Sequence, residues 1–289
     1  MKHITGLLFL LIFISCKDQP EQIPGYLKVE KFTVSAQGDS SWHKITEGWI
    51  YVNGEYLGAY TLPALIPILA EGQSEVWLYP GVKENGILAS PNIYPILTRW
   101  ESKTVEITPG QTTTIYPSTT YDPATVYSFG IGRGDFDGGS SIVLENRDND
   151  DITTFSITTD GAFAGKCMLM ELDTAHPLIE VATEKVSGLP ISGSPETWLE
   201  MHYTCNVPFY LFLLYTDGLT SAEQSQAVFQ FNPSENWNKI YLNLTQSLTL
   251  SQGEEYRLYI RCPLPKDENG AFSSSTGTVR VDNIRLLHL

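Results

Sequence analysis

The chain has 289 residues, of which 42% are hydrophobic and 18% charged, with a formal net charge of -15. That balance is globular rather than disordered, and the length suits two domains that each bury a core. The acidic surface excludes a nucleic-acid binder, which needs clustered Lys and Arg, and argues against docking on anionic lipid by charge.

Leu7–Cys16, LLFLLIFISC, is entered from Met1-Lys2-His3 and left through Lys17-Asp18. A cationic start, a short apolar run and a small residue, Ser15, form a signal-peptide pattern. The run is too short for a membrane-spanning helix, which takes ~20 apolar residues. Phe13-Ile14-Ser15-Cys16 resembles a bacterial lipobox, although Phe13 stands where Leu is usual. The resemblance implies a lipoprotein signal peptide over residues 1–15 and a covalent lipid on Cys16. A plain secretory signal is the alternative. Residues 16–25 are polar and Pro-punctuated, and read as a tether. Lys17-Asp18 with Glu21 resembles the export tag of Bacteroidetes-type surface lipoproteins, with Gln19 where a second acid is common. This implies an outer-membrane lipid anchor facing the cell surface, with a periplasm-facing anchor as the alternative.

Residues 26–116 form the first predicted domain. Tyr26–Ser35 alternates apolar and polar, as a half-buried strand does. Trp49–Val52 and Tyr56–Tyr60 flank Asn53-Gly54-Glu55, and Asn-Gly is a strong hairpin signal because both residues tolerate positive φ. Strands follow at Leu65–Leu69, Ser74–Tyr79, Val105–Ile107 and Thr112–Tyr116, and no segment shows a helical period. Tyr51-Val52-Asn53-Gly54 with Gly58, then Pro63, then Gly72 with Val76, resembles the order of PEGA-like surface β-domains. The resemblance implies a small β-sandwich-like accessory module without chemistry of its own.

Pro117–Ala124, PSTTYDPA, is rich in turn-formers and predicts a linker over residues 117–124, so the second domain covers residues 125–289. Gly130–Gly134 lacks the strand and helix that a phosphate-cradling loop needs and reads as a turn. Asp135–Gly139 lacks the later ligands of an EF-hand and reads as an acidic turn. Ten short strands then follow, from Ser141–Glu145 to Thr278–Leu287, divided by turns such as Asn232-Pro233 and Asn269-Gly270. Many short strands with turn punctuation predict a sandwich or barrel.

Alternation sorts the faces of these strands. Trp198, Glu200 and His202 share one face of theirs. Trp237, Lys239 and Tyr241 share one face of another, as do Glu255, Arg257, Tyr259 and Arg261 on a third. Gln226 and Gln230 share a face on the strand ending at Phe231. Aromatic residues among polar ones distinguish these faces from a merely solvated surface. Thr158–Leu172, Asn236–Leu244 and Gly277–Leu287, the last reading GTVRVDNIRLL, resemble three strands of carbohydrate-binding-module (galactose-binding-like) jelly rolls in the same order. The fold expectation is therefore all-β, with a jelly-roll β-sandwich after the first domain. The resemblance implies a structural Ca2+ held by Glu145, the Thr159–Gly161 loop through Gly161, and Asp282. The Trp198, Glu200, His202, Trp237, Lys239 and Tyr241 faces would form a shallow glycan groove if their strands belong to one sheet. Packing against the first domain is the other account of those rings.

After Cys16, three cysteines are left: Cys167, Cys205 and Cys262. They read as buried apolar thiols, or as one disulfide plus a free thiol in an oxidising compartment. None has zinc spacing. No G-x-S-x-G, H-E-x-x-H or catalytic-cysteine signature occurs, so the chain reads as non-catalytic. The leading expectation is a membrane-anchored lipoprotein that binds polysaccharide. Its alternatives are a structural or adhesive lipoprotein that meets an envelope protein and, more remotely, a glycoside hydrolase, whose carboxylate spacing is spatial.

Overall fold

The computed structural model describes residues 21–35, 42–129, 133–150, 152, 155–216 and 222–289. The expected signal peptide, Cys16 and the expected export tag up to Pro20 lie outside the described residues.

The first unit holds β1 (Gly25–Val29), β2 (Thr33–Val34), β3 (Glu47–Val52), β4 (Glu55–Thr61), β5 (Ala64–Ile68), β6 (Gly72–Lys83), β7 (Pro91–Ile93), β8 (Trp100–Ile107), β9 (Thr112–Ile115) and β10 (Ser118–Thr119). One sheet runs β5-β1-β9 and a second runs β4-β3-β6-β7, with β8 also on β6. The β3–β4 hairpin turns at Asn53 (φ 51°) and Gly54 (φ 83°), the left-handed pair a two-residue hairpin requires. Its register slips between Ile50 and Tyr51, opposite Gly58 at φ 147°, a bulge that only glycine takes without strain. Leu27, Val29, Ile50, Ile66, Val76, Leu78 and Ile107 fill the space between the two sheets.

The second unit holds β11 (Val126–Phe129), β12 (Leu144–Asn146), β13 (Phe155–Thr158), β14 (Cys167–Asp173), β15 (Leu178–Thr183), β16 (Val186–Ser187), β17 (Thr197–Cys205), β18 (Phe209–Thr216), β19 (Glu223–Phe231), β20 (Ser234–Asn243), α1 (Thr245–Ser251), β21 (Glu255–Pro263) and β22 (Thr276–His288). It is a jelly-roll sandwich. One sheet runs β13-β14-β22-β17-β20 with β11 on β22, and the other runs β12-β15-β21-β18-β19 with β16 on β21. Between them pack Met168, Met170, Leu199, Met201, Leu211, Leu213, Leu258, Ile260, Val279 and Val281, with Phe209 and Phe231 stacked at 4.2 Å. Cys167, Cys205 and Cys262 are buried free thiols. Burial pushes Cys262 up to about 12 and Cys167 to about 11.

Three departures from the sequence reading are local. Tyr26–Ser35 is two strands, β1 and β2, in different sheets. The one helix among the described residues, α1, buries only Leu248, so no apolar period could announce it. The expected linker is part of the structure. β10 pairs with β2 in parallel, Tyr121 bridges Leu97, and Thr98 N–H donates to Thr120 O at 2.9 Å. Its turn-formers end short strands rather than free the chain.

The first unit's core continues into the second. Trp198, Tyr241 and Leu287 belong to the same buried cluster as Ile50 and Leu78. β17, and β22 from Val281 to Leu287, are consequently buried on both faces, one against the jelly-roll core and one largely against the first unit.

Candidate functional site

β17 and β20 are neighbours in one sheet, with Glu200 opposite Tyr241 and His202 opposite Lys239. The structure therefore brings the expected groove residues together, and then covers them. Trp198 and Glu200 are fully buried, and His202, Lys239 and Tyr241 nearly so. Tyr94 of the first unit donates to Glu200 Oε1 at 2.6 Å, and its ring meets Trp198 at 5.1 Å and Tyr241 at 4.9 Å. The Tyr121 hydroxyl lies 2.9 Å from both Glu200 oxygens. Lys44 N–H donates to the Tyr241 hydroxyl at 3.0 Å, and Asn243 N–H to Asn85 Oδ1 at 3.0 Å. His202 stacks on Phe163 at 4.1 Å. Trp237 alone of the six stays partly exposed, its indole donating to Gly161 O at 3.1 Å. This face is an interface between the two units and not an open groove. Rings on a polar sheet face were the right signal of a contact surface, and the contact is internal.

Glu200 is the hub of that interface. Lys239 Nζ sits at 2.6 Å and Arg285 at 3.9 Å. Burial alone would push the carboxyl up, but Lys239 and Arg285, with hydrogen bonds from Lys239 and Tyr94, outweigh it and hold Glu200 down to about 2. Burial lowers the Lys239 ammonium, and Glu200 opposes that fall.

The expected calcium ligands do not converge. Glu145 lies on β12 in the opposite sheet, bonded to Arg257 and, at 3.3 Å, to Arg147. The Gly161 carbonyl takes the Trp237 indole. Asp282 is fully buried on β22 and accepts from Ala164 N–H at 3.3 Å and Asn283 N–H at 2.7 Å. Among the described residues no group of three acids, His or Cys could hold a metal. The acids that act on Asp282 come instead from the acidic turn. Burial first, then Asp137 and Asp135, raise its carboxyl to about 7 against those two backbone bonds. The Asp137 carboxylate fills the space above Gly165, where a Cβ would meet it at 2.1 Å.

The outer face of the second sheet is the one the first unit leaves open. One row crosses all five strands as Glu145, Ala182, Tyr259, Phe212 and Ala227. The next reads Glu180, Arg261, Tyr210 and Gln230. Phe212 and Tyr259 lie 5.8 Å apart, half-buried, with alanines to either side. Four strand spacings make the row about 19 Å long. Arg147, Leu214, Glu223, Gln224, Ser225 and Tyr259 line a depression of about 260 Å³ beside it. Arg261 pairs with Glu180 at 3.0 Å, and Arg257 and Arg147 share Glu145 and Glu223. Burial, with Glu180 adding, pushes the Tyr259 hydroxyl well up, so it stays a neutral donor.

Alternation had put Arg257, Tyr259 and Arg261 on one face. Tyr210 and Phe212 were missed, because FYLFLLY is apolar throughout and hides which residues point outward. Gln226 and Gln230 do not share a face. The register slips between Leu211 and Phe212, leaving Gln226 opposite the inward Leu213 and Gln230 opposite Tyr210.

No family model matches the chain, and no curated protein matches it. Solved structures similar to it include carbohydrate-binding modules. The family 11 module of a cellulosomal cellulase of Clostridium thermocellum aligns at 13% identity and TM-score 0.37, over 54% of this chain and 92% of that one. A module solved with β-1,4-galactotriose aligns at 10% identity and TM-score 0.32, over 55% and 92%. A β-sandwich module described for promiscuous specificity aligns at 12% identity and TM-score 0.34, over 83% and 84%.

The Glu200 interface has a measurable acid limb. Its carboxyl is held below the ordinary glutamate value of 4.5, so its contribution is complete above that value and is lost as pH falls toward 2. Glu200→Gln leaves Lys239 buried without its counter-charge, a change worth about 3–5 kcal/mol. Denaturant unfolding across pH should show this variant destabilised at pH 7 and with a flatter loss of stability below pH 4.5. A variant that tracks wild type at every pH would rule out Glu200 as the hub.

Proposed function

We propose that the chain is a lipid-anchored, non-catalytic protein that binds polysaccharide across the outer face of the second sheet. The observation that carries this reading is the Phe212–Tyr259 ring pair in a five-strand row edged by alanines. Sugar C–H faces stack on rings much as other apolar groups do. The guanidiniums of Arg257 and Arg261, the Gln230 amide and the Tyr259 hydroxyl would set the positions of sugar hydroxyls. The first unit, whose sequence resembles PEGA-like modules, serves as an accessory body that closes the opposite sheet.

The anchor is the lipid on Cys16, and the location is the outer membrane facing the cell surface. The lipobox-like Phe13–Cys16 and the Lys17-Asp18 tag support this. Cys16→Ala should shift the protein from the membrane fraction to the soluble one, and unchanged partition would remove the anchor from the reading.

Binding itself is tested by affinity electrophoresis against a panel of soluble polysaccharides. Phe212→Ala and Tyr259→Ala should each weaken retention by roughly tenfold at unchanged melting temperature, about 1.4 kcal/mol per ring. Equal retention by wild type and both variants would move the site elsewhere.

A further inference from the structure

The first unit carries a second array of rings, on the outer face of its five-stranded sheet. Alternation along β3 sends Ile50 and Val52 inward to the core and leaves Trp49 and Tyr51 half-buried on the other side. β6 does the same with Val76 and Leu78 inward, Trp77 and Tyr79 outward. Register then lines the rings up across strands. One row reads Tyr56, Tyr51, Trp77, Glu101, and the next reads Ala59, Trp49, Tyr79. Four strands make the first row about 14 Å long, with the second about 7 Å beside it.

The array is held rigid by its own contacts. Tyr51 meets Tyr56 at 5.1 Å, Tyr79 at 5.6 Å and Trp77 at 6.4 Å. Trp49 lies over Gly81, where a Cβ would meet its ring at 2.3 Å, so the glycine is what lets the indole lie flat. Arg99 sits over Trp77 at 4.5 Å, donates to the Tyr79 hydroxyl at 3.1 Å and pairs with Glu101 at 3.0 Å. Fixed rings give up little rotamer freedom on binding, which favours a ligand that stacks.

We propose that this face is a second polysaccharide-binding platform, independent of the jelly-roll face, and that its ligand is an uncharged sugar chain. The large side chains in the two rows are aromatic, and none is aliphatic. Three of the five rings are tyrosines, whose hydroxyls give a rim of donors and acceptors for sugar hydroxyls. Tyr, Trp and Arg also mark protein interfaces, so self-association is one arm of the test below. An acidic polymer is disfavoured, since Glu101 stands in the row beside Arg99 and the chain as a whole stands at -15.

The test uses the full chain in a Phe212→Ala/Tyr259→Ala background, which separates this platform from the jelly-roll face. Affinity electrophoresis runs against neutral polysaccharides, xylan, mannan, galactan and mixed-linkage glucan, and against polygalacturonate. The expected result is residual retention by a neutral polymer, cut roughly tenfold by Tyr51→Ala or Trp77→Ala at unchanged melting temperature. Trp77→Phe, which keeps a ring, should retain most of the binding. The platform is overturned by complete loss of binding in the double-variant background, by retention that ignores Tyr51→Ala and Trp77→Ala, or by wild type binding no neutral polymer. It is also overturned if those two variants change only self-association in sedimentation, which would make the face a protein contact.

Discussion

Glu200 is a carboxylate with no exposure, placed where a sheet meets another body. Such a charge is tolerable only if its partners are present and well aimed. Two of them, Lys239 and Arg285, come from strands on either side of its own. The other two, Tyr94 and Tyr121, come from the first unit. The second unit alone would leave this acid with its cations but with fewer donors, and with Trp198, Tyr241 and Leu287 facing water. Docking of the first unit answers both needs. Apolar area from Tyr94, Trp198 and Leu287 supplies the drive, and the hydroxyls aimed at Glu200 supply the orientation.

That constraint decides which surface each unit has left for a ligand. The jelly roll has two sheets, and one is spent on the interface, so its remaining broad face is the one with Tyr259 and Phe212. The first unit spends its contact surface through Tyr94, Lys44, Asn85 and Tyr121. Its ring-bearing face, with Tyr51 and Trp77, is a different surface. Sharing one buried cluster makes the two units mechanically a single body. The segment over residues 117–124 is held by strand pairing and by the Tyr121 bonds, not left as a hinge.

Alternation made much of this legible. It separated Leu199 and Met201 from Trp198 and Glu200, and Leu258 and Ile260 from Arg257 and Tyr259. The Asn53-Gly54 turn announced its hairpin. What alternation cannot carry is the identity of whatever covers a face. A ring beside a buried acid looks the same in sequence whether the cover is a sugar or another domain. β18 shows a second limit, since its unbroken apolar run conceals Tyr210 and Phe212. A third is long-range convergence. Glu145 and Asp282 looked like partners because a resembling order of strands put them so, yet they lie in opposite sheets. The acids that do act on Asp282 sit in a turn whose spacing matched no complete metal loop.

The same physics distinguishes the ring clusters from one another. At Tyr94, Trp198 and Tyr241 the hydroxyls are occupied by Glu200 and by Lys44, and solvent is excluded. Nothing there can exchange a protein donor for a ligand's. At Phe212 and Tyr259, and at Tyr51 and Tyr79, the rings are half-buried and their polar neighbours are arginines bridged to acids at the surface. Surface bridges are worth little and rearrange cheaply, so a sugar hydroxyl can take a place in such a network without leaving a buried charge bare. Aromatic content alone marks all three clusters as contact surfaces. The cost of replacing the polar partners is high at the first cluster and low at the other two.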